Sequence, residues 1–130
     1  MQLEVAARWL AYAESDLAVA YGVDRPGVIL ETLCFHAQQA AEKAIKAVLV
    51  AEGAELPRTH DLGVLLAAVP VSVPIGLDRA RVVALTAYAV ASRYPGDEEP
   101  VDADEHAEAL AVAATVVAWA RDVLSTLPPV

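Results

Sequence analysis

Residues 28–52 read VILETLCFHAQQAAEKAIKAVLVAE and are followed by Gly53. Leu33, Ala37, Ala40, Ala44, Ala47, Val48 and Ala51 recur there at spacings mostly of three and four, which keeps them on one face of an α-helix. The stretch predicts a long helix from about Val28 to Glu52. Gly53 suits the position just past its end, because glycine adopts the left-handed backbone at little cost.

Upstream, Leu3, Ala6, Ala7, Leu10, Ala13, Leu17 and Ala20 form a second stripe. It predicts a helix over about Leu3 to Tyr21, broken by Gly22 and by Asp24-Arg25-Pro26-Gly27. Downstream, Leu56-Pro57-Arg58 is a connector. Thr59 is the expected N-cap of a short helix that runs from Thr59 or His60 to Val69, and Pro70 and Pro74 bracket a loop. A fourth helix is expected over about Leu77 to Ser92, ending near Arg93 because Pro95 disfavours helical geometry at Tyr94. Gly96-Asp97-Glu98-Glu99-Pro100 is an acidic loop. The last helix starts near Asp102, whose spacing from Glu105 fits a capping box, and runs to about Ser125 before Pro128-Pro129. The expectation is an all-α fold: an up-and-down antiparallel helical bundle of four long helices plus one short helix, with residues 1–127 as a single domain and 128–130 as a disordered tail.

Composition agrees with that reading. Alanine fills 28 of 130 positions and aromatics make up 5%, so the core is aliphatic and its helices can approach closely. The lone Cys34 excludes an internal disulfide and fits a reducing compartment. Met1-Gln2-Leu3-Glu4 lacks the basic start of a secretory signal. The uncharged run Ala109–Ala120 has 12 residues, against the roughly 20 that a membrane-spanning helix needs. A cytoplasmic protein is therefore expected, with no membrane partner. The net charge of -9 repels phosphate backbones at long range. The charge argues against a broad, non-specific nucleic-acid surface and does not forbid a small local site.

Two segments are more apolar than one chain requires. Val82–Ser92 carries no charge, and Glu108 is the one charge between Ala107 and Ala120. A helix apolar on most sides must be buried on most sides. These segments predict a homodimer formed through residues 82–92 and 107–120.

Four pieces of sequence carry a resemblance. Phe35-His36-Ala37-Gln38-Gln39-Ala40-Ala41-Glu42-Lys43-Ala44-Ile45-Lys46-Ala47, Thr59-His60-Asp61-Leu62, Ser92-Arg93-Tyr94-Pro95-Gly96 and the opening Trp9-Leu10-x-x-Ala13-x-x-Asp16-Leu17 all fall in the family's order along the chain. Together the chain resembles the HEPN (higher eukaryotes and prokaryotes nucleotide-binding) family. The resemblance implies a helical bundle, usually dimeric. Some members are ribonuclease toxins, many stand beside a small nucleotidyltransferase that acts as antitoxin, and others are proposed to bind nucleotides. Ribonuclease members carry an arginine followed after four to six residues by a histidine, which act on RNA across the dimer. Arg93 matches the arginine, but residues 98–100 are Glu98, Glu99 and Pro100, and the next histidine, His106, follows after 12 residues.

Arg93, with Tyr94 beside it, could contact an anion through its guanidinium; a helix-terminal arginine favoured by the macrodipole is the plain alternative. His106 is a candidate displaced base, but Asp104 and Glu105 next to it favour the protonated form, and a surface histidine on a capped helix is the expectation. His36, Gln39, Lys43 and Lys46 share one edge of the second helix. That edge could receive a nucleotide phosphate, or it could be a polar border with Glu42–Lys46 as an ordinary i,i+4 ion pair. His60 joins this set as a candidate, and His60-Asp61 also reads as helix-start chemistry. Cys34, His36, His60 and His106 show no zinc-type spacing. The six glycines form no phosphate loop. No metal and no cofactor are expected.

The sequence thus points away from catalysis. It predicts a HEPN-like module that binds a nucleotide or a partner, the latter a separately encoded nucleotidyltransferase in a toxin–antitoxin-like pair. Two alternatives stand beside it: a metal-independent ribonuclease toxin acting on RNA with Arg93 and a histidine across the dimer, and a purely structural interaction module.

Overall fold

The computed structural model describes residues 2–89 and 99–127. Five α-helices and one 3-10 turn account for their regular structure: α1 (Gln2–Ala20), α2 (Leu30–Ala51), α3 (Leu62–Ala67), α4 (Arg79–Ala84) continued by a 3-10 turn (Leu85–Tyr88), and α5 (Ala103–Ser125). The all-α bundle expected from periodicity is the fold observed.

Contacts between side chains give the directions. Asp16 meets His36 and Trp9 meets Lys46, so α1 and α2 run antiparallel. His106 reaches Ala20 and Arg121 reaches Glu14, so α5 is also antiparallel to α1. Arg81 meets Glu108 and Tyr88 meets Glu105, so α4 and its 3-10 extension run against α5. The order is up-and-down, with α2 packed most extensively on α1 and then on α5.

Alanine sets the closeness of that packing. On α1 the fully buried residues are Ala6, Ala13 and Ala20, each seven apart. Ala13 and Ala20 share one cluster with Ala37, Ala40, Ala41 and Ala44 of α2, which also holds Ile45, Leu49, Leu62, Leu65, Val116 and Val117. Ala7, expected on the buried stripe, is exposed instead. A seven-residue repeat aims a narrow seam at the partner helix, and Ala7 falls one position beyond it. α2 is the central helix: none of its residues from Leu30 to Ala51 is exposed.

The ends follow capping chemistry. Gly53 has φ +72, its N–H donates to Val50 O, and Ala54 N–H donates to Leu49 O. This is the Schellman pattern that the glycine predicts. The short helix begins differently from expectation. Its N-cap is Asp61, not Thr59, and the helix starts at Leu62. The Asp61 carboxylate accepts from Gly63 and Val64 N–H. A carboxylate serves the positive helix start better than a hydroxyl, and the Thr59 hydroxyl accepts from Asp61 N–H instead. Asp102 caps α5 as expected, accepting from Glu105 N–H. Glu105 Oε2 in turn accepts from Tyr88 OH, which ties the start of α5 to the 3-10 turn.

The fourth helix, expected over Leu77–Ser92, begins at Arg79 behind the Asp78 cap and tightens to 3-10 geometry at Leu85. Residues 90–98 and 128–130 lie outside the described residues, and so do the expected Arg93 stop, the Arg93-Tyr94-Pro95 turn and the expected tail.

Candidate functional site

Polar side chains converge where α1, α2 and the connector before α3 meet. α2 supplies most of them at helical spacing, so its edge is a continuous row rather than scattered points. Two carboxylates organise the row. Asp16, 13% exposed at its side chain, takes His36 Nδ1 at 2.9 Å on one oxygen and Lys43 Nζ at 2.6 Å on the other. Glu42, 4% exposed at its side chain, takes His60 Nδ1 at 2.8 Å on one oxygen and Lys46 Nζ at 2.9 Å on the other. Each carboxylate is thus bridged by one histidine and one lysine.

Further bonds fix the second group. Gln38, fully buried, donates through Nε2 to Glu42 Oε1 and to the His60 carbonyl, and Gln39 donates to Gln38 Oε1. Lys46 Nζ also lies 5.5 Å from the Trp9 ring centroid, within cation–π reach. Burial alone would push the Glu42 carboxyl up. Hydrogen bonds from Lys46, His60 and Gln38 outweigh it and hold that carboxyl below its ordinary value.

The Glu42–Lys46 pair is therefore not the ordinary surface ion pair that i,i+4 spacing suggests. It is a sunken pair stabilised by two more donors. Both lysines of the candidate edge are already neutralised. The histidines are held differently: with Nδ1–H donated to a carboxylate, each keeps Nε2 as its second ring nitrogen. The His60 side chain is 68% exposed and that of His36 29%.

His106 departs from its expected place. It is 4% exposed, and its Nε2 lies 2.8 Å from the Ala20 carbonyl. A carbonyl only accepts, so Nε2 carries the proton. The bond satisfies a carbonyl at the end of α1 that the helix itself leaves open. The acidic neighbours Asp104 and Glu105 suggested a solvated helix start, but the 3.6-residue period turns His106 inward while Asp104 faces water.

The structure thus brings together His36, Gln39, Lys43, Lys46 and His60 along one seam and places His106 elsewhere, inside the α1–α5 contact. Arg93 and Tyr94 lie outside the described residues. Sequence reading missed Asp16 and Gln38 as organisers of the seam. The available signal was an acid and an amide on helix faces otherwise given to packing. Among the described residues no group of three or more His, Cys, Asp or Glu is arranged to hold a metal ion. No described helix is long and apolar enough to cross a membrane.

Away from the seam, a hollow of about 130 Å³ lies between α4 and α5 and is lined by Arg81, Tyr88, Glu105, Glu108 and apolar neighbours. Arg81 and Glu108 close one side through paired hydrogen bonds of 2.8 and 2.7 Å. That pairing raises the Arg81 guanidinium and lowers the Glu108 carboxyl relative to their ordinary values.

With this geometry in place, the chain can be set beside known proteins. The crystal structure of TT1696 from Thermus thermophilus is similar at 31% identity and a TM-score of 0.77, over 91% of this chain and 97% of that one. A search of curated proteins found no match. The family model for the HEPN domain matches residues 6–123, a span from the first buried alanine of α1 to the last turns of α5. The chain belongs to the HEPN-domain family.

Proposed function

We propose that this HEPN-domain chain is a non-catalytic module that binds a nucleotide through its phosphates at the α2 edge and works with a separately encoded nucleotidyltransferase in a toxin–antitoxin-like pair. The observation that carries the reading is the placement of His106. It is the one histidine in the sequence that follows Arg93, and its Nε2 is spent on the Ala20 carbonyl in the core. A base for the ribose 2′-OH must reach its proton directly or through one water, and an imidazole buried at 4% exposure and tethered inside the α1–α5 contact does neither. The His36, Gln39, Lys43, Lys46 and His60 row supports the binding half of the proposal. The chain acts as a homodimer. Its contact face is α4 and its 3-10 extension with α5, where Val83 is 40% exposed and Ala84, Ala87, Ala107, Ala111 and Ala118 are exposed in the single chain.

Incubation of the purified chain with RNA tests the non-catalytic reading: no cleavage is expected. Cleavage abolished by Arg93→Ala would refute it. Nucleotide titration and co-purification with a nucleotidyltransferase test the other two parts. The ribonuclease alternative keeps one supporting observation, the exposed His60 backed by the buried Glu42. It predicts growth arrest on expression that is lost in His60→Gln.

A further inference from the structure

The two carboxylates of the seam impose a charge count. Asp16 is balanced by Lys43, and Glu42 by Lys46. With neutral histidines each group sums to zero, so the row offers an anion no net attraction despite its two lysines. Each group gains one positive charge when its histidine takes a proton. Histidine is the side chain whose ordinary titration falls between about pH 5 and 8. The new proton goes to Nε2, because Nδ1 already donates to the carboxylate. Nε2–H then becomes a donor, exposed in His60 and part-exposed in His36.

Other charges on the packed elements do not cancel the change. From α1 the row meets Asp16; Arg8, next to Trp9 in the sequence, is exposed and turned to the Tyr12 hydroxyl instead. From α2 it meets Glu42, Lys43 and Lys46. The connector brings His60 between exposed Arg58 and Asp61, whose formal charges offset each other, and the Asp61 carboxylate is committed to capping α3. The Glu14–Arg121 pair joins α1 to α5 and is internally neutral. On a chain of net charge -9, these two groups pass from neutral to two positive charges.

We propose that the α2 edge is a proton-gated site for tetrahedral dianions of the phosphate type, open when His36 and His60 are protonated and closed when they are neutral. The inference rests on the nucleotide-binding reading and adds its regulation. The geometry does the gating: the part-buried Asp16 and buried Glu42 cancel the lysines and leave the histidines as the variable charge. A surface lysine cluster without Asp16 and Glu42 would bind anions at either pH.

Inorganic sulfate is the suitable probe, because its charge does not change over the range in which phosphate itself titrates. Sulfate is titrated into the full chain at constant ionic strength at pH 5.5 and pH 8, read by calorimetry and by the ring resonances of His36 and His60. Two added charges near a dianion predict affinity at least about tenfold higher at the lower pH. The ring resonances of both histidines should shift with sulfate at pH 5.5. In the His36→Gln, His60→Gln double variant, which keeps a donor at each carboxylate, the pH dependence should disappear. Equal affinity at both pH values, no binding at pH 5.5, or a pH dependence that survives in the double variant overturns the gate. A nucleotide that binds equally at both pH values would sink the gate and leave the proposed function standing. Sulfate gating without nucleotide binding at either pH would do the reverse.

Discussion

Glu42 binds Lys46, His60 and Gln38 at once from a nearly buried position, and this concentration gives it a measurable signature. Its folded-state carboxyl lies below the ordinary 4.5, so its stabilisation is fully present above that value and is lost as the pH falls through the folded-state value. Glu42→Gln should therefore lower stability by about 3 kcal/mol near neutral pH, since it strands the Lys46 cation, and His60 when protonated, around a neutral amide. The deficit should shrink toward zero in strong acid, where the wild type loses the same charge. Urea denaturation at two pH values checks both statements. His106 gives a second test of a residue whose place the sequence did not reveal. His106→Ala should cost about 3 kcal/mol by urea denaturation, because it opens a cavity and leaves the Ala20 carbonyl unpaired. A surface histidine would lose almost nothing.

Helix boundaries depend on single positions, and these are unevenly legible. Gly53 announces itself, since few residues accept φ +72. Gly53→Ala should cost about 1 kcal/mol through backbone strain, with a Cβ that also meets the flexible end of Gln2 at 2.9 Å. Asp102 is readable from its spacing to Glu105, and Asp102→Ala should cost about 1 kcal/mol. Thermal melts of the two variants report these losses. The α3 cap is harder to read. Thr59 and Asp61 are both good N-caps two residues apart, and the choice falls to whichever side chain the following backbone can reach. The expected end of the fourth helix falls among residues 90–98, outside the described residues, while its shift to 3-10 geometry at Leu85 has no marker in the local sequence.

At the scale of the whole molecule, the exposed alanines of α4 and α5 are consistent with the apolar surplus of residues 82–92 and 107–120. Ala111→Arg places a charge at an exposed position, so it should leave folding intact within about 0.5 kcal/mol. On the proposed dimer face the same charge would be buried without a partner, and sedimentation should then show a monomer in place of a dimer. A wild-type chain that stays monomeric at every concentration refutes the contact. The sequence by itself determined the helices, their order and the family, because each rests on local properties: a 3.6-residue period, caps, breakers and an ordered set of short motifs. Tertiary structure alone decided the seam. Asp16 and His36 lie twenty residues apart, and so nearly do Glu42 and His60. The charge of a lysine row depends on which carboxylates packing brings against it, and the role of His106 on which helix end it meets. Such distant pairings are fixed by the approach of alanine-faced helices, which no spacing along one helix records.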